Sequence, residues 1–380
     1  MSGRLKLRRG DVVAAEPLTV EVDGERRAAW ADTALLGEMR EGDEVVVNTA
    51  ALDLGLGSGG FDVVHVNLTR GLDASGDSRE HVMKLNYTSL QHPVAPVERR
   101  CNAFTPYDMA NALHRTATVL VLPLHGHLAP AAWAAQAGCE GGGPRKKVGY
   151  VQTGGGALPS SLSRDVRELR ERGLLCGHIT ATPAYGGEHE ALSIAGALDA
   201  AAGDLGWDAI LAGPGPGIIG SDTRLGHGGM AALDTAHAAL SLGLPTLISP
   251  RLSAADPRER HRGVSHHTRT VLDLLLAPVE IAVPGGEEEI AASLKLAAAG
   301  RHRLQVGKAD LSSYKASGLP LRTMGRDIEE DGLFFAAALA AGRILAASSA
   351  GGVGGGGPRT DTLARPQVPL PLRQDPRPGA

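Results

Sequence analysis

The segment Ser249–Thr270, SPRLSAADPRERHRGVSHHTRT, holds five arginines (Arg251, Arg258, Arg260, Arg262, Arg269) and three histidines (His261, His266, His267) behind an apolar run. A solvated loop scatters its charges and mixes their signs. Here permanent cations stand beside the only side chains that titrate near neutrality, a pairing suited to holding an anion and moving a proton. His266 and His267 open a helix, where the dipole favours the neutral imidazole, the form a general base or metal ligand needs. Catalytic candidates are therefore His266, His267 and His261, with Asp256 or Asp222 to orient them. Ser265 is the alternative explanation for the local pattern, as the N-cap of that helix.

Two glycine-bearing loops supply backbone chemistry. TGGGALPSSLSR (Thr153–Arg164) sets Gly154, Gly155 and Gly156 before a helix start, where bare N–H groups and a dipole attract oxyanions, and adds Ser163 and Arg164. A tight turn capped by Ser160 or Ser161 explains the same residues without a ligand. GPGPGIIGSDTRLGHGG (Gly213–Gly229) contributes Gly215, Gly217, Thr223 and Arg224 as binding candidates, and also contains Asp222 and His227. It fits neither the Walker phosphate loop nor a clean G-x-G-x-x-G, so neither ATPase nor dinucleotide binding follows from motif. Arg251, Arg258 and Arg262 complete the expected anion-binding set.

Other groups are less specific. His125 and His127 have H-x-H spacing, half of a metal site that Glu188, Glu190 or Asp222 would have to complete. Ser163, Ser249 and Ser265 are available nucleophiles, none in a G-x-S-x-G elbow. Cofactor and metal are left undetermined.

These loops need strands to carry them. Up to about Val97, short alternating strands such as LTVEV and RRAAWA, with Asp23-Gly24 between them, predict a hairpin-built β-barrel or sandwich over residues 1–98. LDLGLGSGG (Leu52–Gly60) reads as a loop, and the prolines of HPVAPVE mark the boundary. Over 101–349, apolar strands (TVLVLPL, KKVGYVQT, HITATPA, AILAGPG, PTLISPR, VEIAVPG, then HRLQVG and LPLRTM) alternate with Ala/Leu-rich helices. TPAYGGEHE reads as a loop ahead of a helix. This rhythm predicts a mostly parallel, doubly wound, Rossmann-like sheet, with a closed (β/α)₈ barrel as the alternative. Both put ligands at the carboxyl ends of the strands. Residues 350–380, rich in Gly, Pro and Arg without periodicity, predict a disordered tail.

Composition bounds the partners. A formal charge of −4 and 3% aromatic residues leave neither the field nor the stacking platforms that nucleic-acid binding uses, so a small anionic ligand is expected instead. Three scattered cysteines, no apolar run after basic Met1–Gly10 and no long apolar segment predict a cytoplasmic chain without a membrane partner. A homo-oligomer is compatible with the class.

KLNYTSLQHPV (Lys84–Val94), TGGGALP, GPGIIG (Gly215–Gly220), DPRERHRGVSHHT (Asp256–Thr268) and TMGR (Thr323–Arg326) together resemble a bacterial family of unknown function, DUF3866. The resemblance spans nearly all of 4–349, and the Arg/His string is its most specific part. It brings no activity, cofactor or residue role with it. From residue chemistry the expectation is a hydrolase or group transferase acting on a phosphorylated or otherwise anionic metabolite; the alternative is a regulatory protein that binds a nucleotide or sugar phosphate without turnover.

Overall fold

The computed structural model describes residues 4–56, 59–72, 80, 82–100, 117–136 and 145–348. The predicted tail at 350–380 lies outside them. Five strands, β1 (Leu7–Ala15), β2 (Leu18–Val22), β3 (Glu25–Trp30), β4 (Glu44–Asn48) and β5 (Asp62–Asn67), close a barrel in the order β1-β2-β3-β5-β4. Of the two expected β forms, the barrel is the one found. Every second residue points inward, so Val12, Val20, Val22, Val45, Val47 and Val64 fill it. Asp23 and Gly24 both adopt positive φ (52° and 82°), the turn that Asp-Gly favours. The stretch expected as the loop Leu52–Gly60 begins inside a short helix, Ala50–Asp53.

The hairpin β6 (Val82–Lys84) and β7 (His92–Val94) stands apart from the barrel. The buried Lys84 ammonium donates to the Thr180 carbonyl (2.8 Å) and pairs with Glu190, fixing this hairpin to the following α/β layer.

Eight parallel strands form an open sheet: β8 (Thr118–Val121), β9 (Val148–Thr153), β10 (His178–Ala181), β11 (His189–Ala191), β12 (Ala209–Pro214), β13 (Thr246–Ile248), β16 (Glu280–Pro284) and β17 (Arg303–Gly307). Their order is β11-β10-β9-β12-β8-β13-β16-β17, with β11 and β17 at the two ends, so the closed-barrel alternative is not realised. Side chains alternate between two apolar layers: Val119 and Val121 enter one, Leu120 and Leu122 the other. Helices cover both faces, as expected of strands that are apolar on both sides. The last helix, Gly332–Ala347, crosses Leu128–Gln136 closely at Gly342, where a Cβ would stand 2.3 Å from the Ala131 carbonyl oxygen.

Two predicted elements differ. The three-residue edge strand β11 occupies the end of the expected loop TPAYGGEHE, and its helix starts only at Ile194. LPLRTM contributes no sheet strand: β18 (Arg322–Thr323) pairs with β19 (Arg326–Asp327) in a separate hairpin. A second small hairpin, β14 (Leu252–Ser253) with β15 (Gly263–Val264), frames the Arg/His segment. No helix among the described residues is long and apolar enough to cross a membrane.

Candidate functional site

The chain lays β9, β10 and β11 to one side of β8, returns to insert β12 between β9 and β8, then continues outward through β13 on the other side. Such a reversal opens a crevice beyond the carboxyl ends of the strands. A cleft of about 610 Å³ lies there, walled by Leu124–Gly126 after β8, by Pro216–Gly220, Asp222, Thr223 and His227 after β12, by Arg251, Arg258, Arg260, His261, His266 and His267 after β13, and by Arg322–Met324.

Four imidazoles meet in it. His227 and His267 stack with centroids 3.6 Å apart, and His266 is 4.4 Å from His267 and 4.9 Å from His261. The Ser265 side chain accepts from the His267 amide (3.2 Å), so it is the N-cap of the helix His266–Leu274. It also bonds His261 Nδ1 (2.7 Å). His227 Nε2 donates to the Arg224 carbonyl (3.0 Å), which leaves Nδ1 unprotonated, buried and without a hydrogen-bond partner. Arg251 Nη1 donates to His267 Nδ1 (3.1 Å).

Every member of the cluster is held toward the neutral form. Burial and then Arg251 lower His267 to about 2; burial, Arg251 and Arg258 lower His261 to about 3. His227 and His266 are lowered for the same first reason. Burial and the neighbouring Arg258 bring Arg251 down to about 10. Asp256 is fully buried and opposes this charge. Arg258 grips it twice at 3.0 Å, Arg251 reaches it at 3.3 Å and Arg326 at 3.4 Å. Those bonds hold its carboxyl below the usual range despite burial.

The opposite wall carries His125 and Asp165. His125 Nδ1 donates to the Pro214 carbonyl (3.2 Å), and its Nε2 meets Ser163 Oγ at 2.8 Å with Asp165 3.8 Å away.

A model of the family described as a protein of unknown function, DUF3866, matches residues 28–342. The chain belongs to DUF3866. The match runs from within β3 to within the last helix, so it includes every cleft residue named above. No curated protein and no solved structure matches the chain.

The DUF3866 fold brings together His261, His266, His267, Arg251, Arg258, Asp222, Thr223 and Gly217, as their residue types led one to expect. Several partners differ from expectation. Asp256 meets guanidinium groups rather than an imidazole, and Asp222 pairs with Arg260 at the cleft margin. Arg224 faces outward to Asp273 (3.2 Å), and Arg262 donates to the Asp256 carbonyl (2.9 Å); neither lines the cleft. Arg164 is exposed on the helix Arg164–Glu171, whose N-cap is Ser163, not Ser160 or Ser161.

Gly154, Gly155, Gly156 and Gly215 also stand outside the cleft lining. Their lack of side chains serves close backbone contact: a Cβ on Gly155 would lie 2.3 Å from the Gly228 oxygen, and one on Gly156 2.1 Å from that of Gly215. The H-x-H pair does not converge on one ion. His125 turns to Ser163, while His127 bonds Ser249 (2.8 Å) behind Phe334. Glu188 pairs with Arg170 and Glu190 with Lys84. Each serine considered as a nucleophile is thus hydrogen-bonded to a histidine: Ser163 to His125, Ser249 to His127, Ser265 to His261.

His227, Arg260, Arg322 and the His125–Asp165 wall are the cleft groups that spacing alone did not assign to the site. The signal for His227 was present, as a histidine within the glycine-rich loop.

Proposed function

We propose that this protein is an enzyme that hydrolyses, or transfers a group from, a small phosphorylated or otherwise anionic metabolite bound in this cleft. The observation that carries the reading is that guanidinium groups and unprotonated imidazoles share one crevice at the switch point of the sheet. Arg258 and Arg260 suit planar, two-pronged pairing with phosphate or carboxylate oxygens. Beneath them His266, the partly exposed imidazole of the cluster, takes the proton of the attacking oxygen, while its more deeply buried neighbours stay neutral. A water or hydroxyl gives up its proton, its oxygen bonds to phosphorus, the bond to the leaving oxygen breaks, and that oxygen takes a proton back.

The layout of the sheet, wound in both directions from β8, supports a Rossmann-like assignment, and the scattered cysteines support a reducing, cytoplasmic setting.

A thermal-shift screen of phosphorylated metabolites, followed by assay of each stabilising compound for product release, tests the proposal. A true ligand at a hundredfold excess over its Kd adds about 2.7 kcal/mol to stability. The expected result is a stabilising anion that is also turned over. Stabilisation without turnover supports the regulatory alternative, and no stabilisation by any anion overturns both.

A further inference from the structure

We propose that His227, His266 and His267 form a site for one divalent transition-metal ion of zinc's class at the floor of the cleft. This deepens the functional reading above and rests on it for the role of the ion, though the site itself stands on its own geometry.

One ligand nitrogen from each of the three lies within 4.8 Å of the others. Tetrahedral zinc sites hold nitrogen at roughly 2.0–2.1 Å, so these atoms need to draw inward by on the order of 1 Å. His227 is prepared for this. Its Nε2 proton is committed to the Arg224 carbonyl, the outer contact that metal-bound imidazoles characteristically make, and it aims a bare Nδ1 into the group. The residue is 7% exposed and that nitrogen has no hydrogen-bond partner, a state buried acceptors rarely keep.

His267 already carries a cation on its lone pair, the Arg251 Nη1 donor at 3.1 Å. The guanidinium stands in for an ion there, and Asp256 retains it through Nη2 once Nη1 lets go. Gly229 keeps the space open: a Cβ at that position would stand 2.9 Å from His227 Nδ1 and 3.0 Å from His267 Nδ1. All three histidines line the cleft, so the remaining coordination position faces an incoming ligand. Three imidazoles without a carboxylate select zinc, nickel, copper or iron over magnesium and calcium. Such an ion polarises a phosphoryl oxygen and lowers the pKa of a bound water.

The test uses the full, untagged chain stripped by chelator and titrated with zinc(II) in a calorimeter, with metal content measured after gel filtration. One equivalent per chain is expected. His227→Ala and His266→Ala each weaken binding by more than about 100-fold. Gly229→Ala, which keeps every histidine and crowds two of the ligand nitrogens, weakens it by about tenfold or more and covers the case in which a histidine variant does not fold. His65→Ala, in the barrel, binds zinc as the parent does. Absence of a stoichiometric ion, or parental binding by the His227→Ala, His266→Ala double variant, overturns the site. Titration with inorganic phosphate separates the two proposals. Phosphate bound without zinc uptake removes the metal site alone, whereas zinc uptake with no anion bound removes the functional reading and leaves the metal site standing.

Discussion

The imidazole rings of His227 and His267 lie face to face, 3.6 Å between centroids and 5° from parallel. Stacking at that distance is compatible with two neutral rings and opposed to two charged ones. The floor of the cleft is therefore kept uncharged beside Arg251, Arg258 and Arg260, and the positive charge is presented by guanidinium groups alone.

Arg260→Gln should weaken binding of the stabilising anion by about tenfold or more, the worth of one charge-assisted hydrogen bond. Its protein partner, Asp222, is exposed, so the unfolding midpoint should stay unchanged. Equal affinity in the two proteins would remove Arg260 from the binding set.

Asp256→Asn should cost about 3 kcal/mol or more of stability, read by urea unfolding. The carboxylate is fully buried and is the counter-charge of the buried Arg251, which the substitution leaves uncompensated. A loss below about 1 kcal/mol would mean that the guanidinium finds water or another partner.

Acid should destabilise the fold before carboxylates titrate. Burial lowers both His127 and His178 to about 3. A folded-state pKa below the unfolded value of about 6.5 means that the unfolded chain binds the extra proton, so this stability is complete above pH 6.5 and lost as pH falls toward 3. His178 stacks on Tyr150 with its Nε2 unpartnered, so His178→Phe keeps a ring and removes the proton site. The variant should show a shallower fall in urea midpoint between pH 7 and 5, and an unchanged slope would count against this assignment.

Gly156→Ala should lower stability by about 1–3 kcal/mol and weaken the anion affinity, although Gly156 does not line the cleft. The added methyl meets the Gly215 backbone oxygen, which cannot rotate away, and pushes the β12 loop from its place. Calorimetric melting and ligand titration on one sample would check both effects; an unaltered affinity would show that the two loops move independently.

Where continuous apolar runs carry the pattern, the fold was legible in the sequence: β8, β9 and β12 coincide with TVLVLPL, KKVGYVQT and AILAGPG. β11 was not, because His189–Ala191 is short, polar and at the edge, and is defined by pairing with β10 rather than by its own composition. The Arg/His segment announced the cleft because its cations outnumber its acids, so buried Asp256 engages Arg251 and Arg258 while Arg260 stays at the cleft margin. Its partners were hidden by distance along the chain. Nothing local says that His227 stacks on His267, or that Asp256 serves arginines, since both depend on which strand ends become neighbours. The TGGG turn is the opposite case: glycines that suit an oxyanion equally suit one backbone lying against another, and only Gly215 and Gly228 reveal which.

The tether from Lys84 to the β10–β11 flank, together with the bridge from Pro96 to Glu190, seals one margin of the sheet. β17 at the other margin is last in order, with Val306 69% exposed. Among the described residues β17 is therefore the margin left open to an added strand, beyond the far side of β16.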